Sequence, residues 1–127
     1  MRSRIEGMWW GTAMETKDAS AVAAFYSRLL DRPVVHEEPG TSVVAITETT
    51  YLVFQSAEGY VPPVWPPVEG QQRTMMHFDF QVGDLESAVT EAVDLGATLS
   101  DHQPQDNVRV LLDPGGHPFC LCLETED

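Results

Sequence analysis

The stretch Met76-His77-Phe78-Asp79-Phe80-Gln81-Val82-Gly83-Asp84-Leu85 decides how the chain is read, because its periodicity changes in the middle. Up to Val82, apolar and polar side chains alternate, which is the two-residue repeat of a strand with one face in a core. From Asp84 the spacing becomes helical. Leu85, Ala88, Val89, Ala92 and Val93 share one face, Asp84 is an N-cap, and Gly96 suits a left-handed stop after Leu95. The passage predicts a strand over 75–82, a cap, and a helix over 84–95.

The same junction stands earlier in the chain. A strand-like run over 8–16 leads to Asp18, and Val22, Phe25, Tyr26, Leu29 and Leu30 then recur at helical spacing to predict a helix over 18–30. Its stop falls at Asp31, a residue type that tolerates the left-handed conformation. Each helix precedes three further strand-like runs, 33–37, 42–47 and 51–55 in the first half and 97–100, 107–112 and 119–123 in the second. Glu38-Pro39-Gly40 and Asp113-Pro114-Gly115-Gly116 supply turns between them. The chain therefore reads as βαβββ twice, an α+β fold forming one domain over 1–127, with module one over 8–60, a proline-rich linker over 61–74 and module two over 75–125. In Tyr60-Val61-Pro62-Pro63-Val64-Trp65-Pro66-Pro67 the prolines forbid helix and favour an extended connection, which Tyr60 and Trp65 either pin to the surface or extend over a pocket.

Length and charge limit the function classes. At 127 residues one ordinary domain with a real core is expected. Twenty Asp and Glu against seven Lys and Arg give a formal charge of −13, which repels phosphate backbones and anionic membrane surfaces, so nucleic acid and membrane are poor partners. No run reaches the ~20 apolar residues of a membrane span, and Met1-Arg2-Ser3-Arg4 leads into no apolar signal core, which makes a cytoplasmic location the expectation. Cys120 and Cys122 lie two apart on one strand-like run, a spacing that a disulfide would strain, so free thiols in an apolar setting are expected.

Three pieces of sequence resemble the vicinal oxygen chelate superfamily, the group of glyoxalases, bleomycin-resistance proteins and extradiol dioxygenases. They are Asp18-Ala19-Ser20-Ala21-Val22-Ala23-Ala24-Phe25-Tyr26, then Met76 to Leu85 as quoted above, and Leu112-Asp113-Pro114-Gly115-Gly116-His117-Pro118-Phe119-Cys120-Leu121. The resemblance covers almost the whole chain and implies two curved sheets forming a cupped cavity. It also implies metal donors on the first and last strand of each module. Carried onto this sequence with the helix caps as anchors, those positions are Gly11, Val53 (or Gln55 if the register shifts), His77 and Cys120. Only His77 is an ordinary ligand, so neither a metal nor another cofactor is expected; weak zinc binding by a Cys120 thiolate beside His77 is the alternative, disfavoured on ligand count.

Strand alternation places His77, Asp79 and Gln81 on one face and Met76, Phe78, Phe80 and Val82 on the other. The same offset sends Trp9, Gly11, Ala13 and Glu15 toward the cavity implied by the resemblance, and Trp10, Thr12 and Met14 toward the helix. His77, Asp79 and Glu15 are the candidate acid–base residues, against the plainer reading that Asp79 is simply the hydrogen-bond partner of His77. Trp9, Gly11, Glu15, Val53, Gln55, Trp65, His77, Asp79, Arg109 and Cys120 are the candidate ligand-binding residues. For Arg109 a structural ion pair is preferred. His117 reads as a turn residue, and His36 and His102 as surface residues.

The leading reading is a metal-independent small-molecule binder, expected as a homodimer because Trp9, Trp10 and Trp65 offer aromatic area to bury. The alternative is an enzyme (lyase, isomerase or dioxygenase) acting on an oxygenated small molecule through a residual metal or acid–base site. A partner-binding scaffold with a filled cavity is the third reading. No glycine-rich phosphate loop is present in the sequence.

Overall fold

Asp18 and Asp84 cap the two helices as their positions require. In the computed structural model, which describes residues 1–123, Asp18 has extended backbone and its carboxylate accepts from Ala21 N–H at 3.2 Å. Asp84 accepts from Ser87 N–H at 2.8 Å in the same way. These bonds satisfy amides that have no partner inside a helix, and the backbone amide of Ser87 holds the Asp84 carboxyl below its ordinary range. Helix α1 (Ala19–Leu30) ends at Asp31 in the left-handed conformation, φ 51°, while α2 (Leu85–Asp94) passes through Leu95 to Gly96 at φ 121°. An L side chain rarely adopts that last angle, so glycine is the residue that permits the stop.

The chain divides between Tyr60 and Val61 into two compact units, and each carries one βαβββ set. In the first unit, β1 (Trp10–Thr16), β2 (Val34–Glu38), β3 (Thr41–Ala45) and β4 (Thr50–Ser56) form a sheet in the order β1-β4-β3-β2. β1 runs parallel to β4 and the other pairings are antiparallel. The second unit repeats this plan with β5 (Phe78–Val82), β6 (Thr98–Leu99), β7 (Val108–Leu112) and β8 (Pro118–Leu123), in the order β5-β8-β7-β6 with β5 parallel to β8. Residues 124 and 125, which the sequence reading includes in module two, lie outside the described residues.

The apolar stripe of α1 lies on β3 and β4. Val22, Phe25 and Tyr26 are buried with Val44, Leu52 and Phe54, and the rings of Tyr26 and Phe54 stack with centroids 5.4 Å apart. In the second unit Ala92, Val110, Leu111, Phe119 and Leu121 are the buried set, and Phe80 lies 6.1 Å from Phe119. In the first sheet burial alternates, so one face is packed and the other more open, whereas in the second the central residues Val110 and Cys120 on one face and Leu111, Phe119 and Leu121 on the other are all buried.

Strand ends differ from the expectation. β1 begins at Trp10, opposite Thr50 where its partner begins, so 8–9 have no ladder to join. β5 begins at Phe78 opposite Phe119, because the preceding partner position is Pro118, which has no N–H to extend the pairing. Trp10, expected to face the helix, is 53% exposed, since burial along β1 increases only toward Thr16, where the chain turns into α1.

Candidate functional site

In the first unit the register brings four of the expected residues onto one sheet face. Ala13 pairs with Val53 and Glu15 with Gln55, while Gly11 pairs with Tyr51. Gly11, Ala13, Glu15 and Gln55 are exposed on this face, and the alternate residues Leu52 and Phe54 are buried. Trp9 precedes the strand and sets its ring edge toward Tyr51, with centroids 6.4 Å apart, leaving it as an exposed apolar flank. Gly11 is more than an empty position. A Cβ added there would stand 3.0 Å from the Tyr51 carbonyl oxygen, tight enough that the backbone of β4 would have to give by a few tenths of an ångström to admit it.

In the second unit Asp79 lies directly across the β5–β8 ladder from Cys120, and His77 lies one pleat before Asp79 on the same face. His77 Nε2 is 3.1 Å from Asp79 Oδ1, confirming Asp79 as the partner of His77. One donor atom from each of His77, Asp79 and Cys120 falls within 4.8 Å of the other two. The histidine and aspartate are exposed and the cysteine is buried. Burial, followed by the charge of the Asp79 carboxylate, pushes the Cys120 thiol up to about 12, so it is a neutral thiol at physiological pH. Cys122, one pleat on and opposite Gln81, is raised by the same two causes in the same order. Both thiols are free, as their spacing predicts.

Alternation on β5 made the His77–Asp79 pairing legible in sequence. The meeting of Asp79 with Cys120 was not, because it depends on the register between strands that are distant in sequence.

The other expected residues are distributed elsewhere. Arg109 pairs with Leu121, which pairs with Phe80, so its position belongs to the packed face rather than to that of His77. Its guanidinium donates to the carbonyls of Gln105, Asp106 and Val108, which take the place of the expected ion pair. Trp65 Nε1 donates to the carbonyl of His102 at 3.3 Å and its ring lies 5.7 Å from the His102 ring, which ties the proline-rich segment down within its own unit. His117 closes its turn as expected: its N–H donates to Asp113 Oδ1 at 3.1 Å, and its carbonyl accepts from Asp113 N–H at 2.9 Å. His36 and His102 are exposed.

Two βαβββ units of like topology define an α+β protein of the glyoxalase-like class. The family model described as "Glyoxalase-like domain" matches residues 11–122, and the chain belongs to that family, within the vicinal oxygen chelate superfamily. Similar solved structures include a glyoxalase/bleomycin resistance protein/dioxygenase family enzyme from Burkholderia phytofirmans PsJN, at 18% identity and TM-score 0.64, covering 89% of this chain and 95% of the other. The fosfomycin resistance protein FosX from Mesorhizobium loti matches at 16% identity and TM-score 0.65, covering 96% and 95%. TnmS3, an antibiotic binding protein from Streptomyces sp. CB03234, matches at 14% identity and TM-score 0.60, covering 92% and 95%. At these identities the likeness is one of fold. Comparison with curated proteins gives no match.

The metal that the family implies does not fit the positions it would use. Gly11 has no donor and its Cβ direction is closed by Tyr51, and Val53 is apolar, so two of the four positions supply nothing. A hard divalent ion needs several oxygen or nitrogen donors from the protein, and this set offers one imidazole and one thiol.

Proposed function

We propose that the chain binds small organic molecules on the open sheet face of its first unit without a resident metal. The observation that carries this reading is the state of the family's metal positions: Gly11 is closed against Tyr51 O and Val53 is apolar, while the surrounding face stays open. The open face of the first unit, with an aromatic flank at Trp9, an apolar floor at Ala13 and Val53, and polar groups at Glu15 and Gln55, suits a partly aromatic ligand carrying hydrogen-bonding groups. That TnmS3 is an antibiotic binding protein supports this reading. The test is a thermal-shift and calorimetric screen of chelator-treated protein against aromatic metabolites and antibiotics. Binding that persists in chelator and weakens about tenfold in Trp9→Ala or Gln55→Ala is expected, the loss of one buried contact being worth that much. Hits that appear only after metal is added would overturn the proposal.

The 3.1 Å approach of His77 to Asp79 favours a second reading, an enzyme using this pair for proton transfer on an oxygenated substrate. Product formation from a bound compound, abolished by His77→Ala while binding is retained, would select it over the binder.

We also propose a cytoplasmic homodimer. Among the described residues no helix is long and apolar enough to cross a membrane, and Trp9 and Trp10 leave 72% and 53% of their surface exposed, an aromatic area of the kind interfaces bury. Sedimentation at the dimer mass is the expected outcome, and a single species of monomer mass across a wide concentration range would contradict it.

A further inference from the structure

We infer that the ligand of the first unit's open face is an amphipathic organic cation, its apolar body lying along Ala13 and Val53 and its ammonium group held between the Glu15 carboxylate and the Gln55 amide carbonyl. This rests on the small-molecule reading and deepens it, by assigning the ligand's charge and its direction on the sheet.

The cross-strand register sorts this face into rows, because residues directly opposite on neighbouring strands share a face, as do residues two apart on one strand. The row through Gly11 and Tyr51 is aromatic, with the Trp9 ring edge-on to Tyr51. The next, through Ala13, Val53 and Val43, is aliphatic. The third, through Glu15, Gln55 and Thr41, is polar and reaches Glu38 on the edge strand β2. Polarity therefore rises in one direction along β1, over roughly 13 Å for four residues at about 3.3 Å each. The opposite face is sorted in the complementary way. Ser42, Leu52 and Phe54 are buried there, and Glu37, paired with Ser42, accepts from Ser42 Oγ at 3.2 Å and from Ser20 Oγ of α1 at 2.6 Å, which turns it away from the open side.

Charge at the polar end has one sign. None of the four strands carries a Lys or Arg. Glu38 has His36 Nε2 at 3.5 Å, whereas Glu15 forms no ion pair among the described residues. An ammonium group offers three N–H donors and no acceptor, so it can satisfy a carboxylate and an amide carbonyl on strands about 4.8 Å apart. An anionic ligand would meet like charge in the same place, and a neutral one would displace water from Glu15 without supplying a counter-charge. The aliphatic and aromatic rows bury the rest of the molecule, an area that a bare inorganic cation does not use. The field of a chain with formal charge −13 draws ligands of the same sign toward it.

The test titrates the full-length, chelator-treated chain with phenylhexylamine, phenylhexanol and phenylhexanoate, three probes with one apolar body and a cationic, neutral or anionic head. Salt at about 0.15 M screens exposed charges farther away than ~8 Å. The amine should bind about tenfold more tightly than the alcohol, the worth of one charge-assisted hydrogen bond, and the carboxylate most weakly. Glu15→Gln should cut the amine's advantage to about twofold or less while leaving the alcohol's affinity unchanged. Trp9→Ala should weaken amine and alcohol alike. Asp94→Asn, which removes an exposed charge from α2 in the second unit, should leave the amine's affinity unchanged. Circular dichroism confirms that each variant is folded. Alcohol or carboxylate binding as tight as that of the amine, an amine advantage that survives Glu15→Gln, or an equal loss in Asp94→Asn would overturn the inference and leave the small-molecule reading in place. If none of the three binds although the wider screen yields a ligand, the cation assignment falls alone; if the screen also yields nothing, both fall.

Discussion

Gly11 is exposed on its strand and Cys120 is buried on its own, and each is shaped by its strand neighbour. For Gly11 the neighbour is the Tyr51 carbonyl, which an added methyl would meet at 3.0 Å. That oxygen belongs to a central strand held on both sides, so it yields little. We expect Gly11→Ala to lower stability by about 1 kcal/mol, at the low end of overpacking losses because the site is open on one side, read as a fall in the urea midpoint; an unchanged or higher midpoint would show that β4 gives way. For Cys120 the neighbours are apolar packing and the Asp79 carboxylate, which push its thiol up to about 12. A thiol held that high carries about a thousandfold less thiolate at pH 8 than an ordinary cysteine. Iodoacetamide at pH 8 should therefore modify Cys120 on the order of 100-fold or more slowly than a model thiol, as followed by peptide mass spectrometry. The stability effect has a definite sign. Because the folded-state value lies above the unfolded one, the contribution is complete below the ordinary thiol value and is lost as pH rises toward about 12.

Secondary elements were most legible where two independent signals coincided. At Asp18 and Asp84 a capping residue stands immediately before an apolar stripe, and both helices begin where that combination places them. Strand ends were less legible because they depend on a partner: β1 starts only where Thr50 can pair with Trp10, and β5 only after the unpairable Pro118 position. The candidate site divides the same way. His77 and Asp79 could be placed on one face from alternation within a strand, but their meeting with Cys120 required the β5–β8 register, and the loop carbonyls that engage Arg109 become visible only in three dimensions. Between elements, the stacked Tyr26 and Phe54 rings join α1 to β4, both side chains being fully buried. Phe54→Ala should destabilise the first unit by about 3–5 kcal/mol, the loss of a buried aromatic plus its cavity, seen by denaturant unfolding; a loss under ~1 kcal/mol would mean that the α1–β4 packing is not a main source of stability. The Asp84 cap adds a pH dependence of opposite sign to that of Cys120. Its lowered carboxyl stabilises α2 above the ordinary carboxylate range, and this is lost on acidification through its folded-state value. Asp84→Asn, which keeps a capping acceptor, should therefore show a shallower loss of stability in acid than the native chain.

At the scale of the whole molecule, charge and donor count act in opposite directions on metal content. A formal charge of −13 raises the local concentration of any cation, so freshly purified protein will carry loosely held metal at its surface. Retention through dialysis is a different matter, because it requires several donors converging on one point. Of the four positions the family uses, Gly11 and Val53 provide no donor, and the backbone at Tyr51 closes the space at the first of these. The remaining donors are His77 and Cys120, with Asp79 beside them, and the Cys120 thiol must give up a proton before it can bind. Elemental analysis of the dialysed protein should accordingly find far less than one equivalent of zinc, iron, nickel or manganese per chain. If near-stoichiometric metal survives dialysis and His77→Ala removes it together with ligand binding, the chain uses a tightly held ion. The enzyme reading would then take precedence over the metal-independent binder.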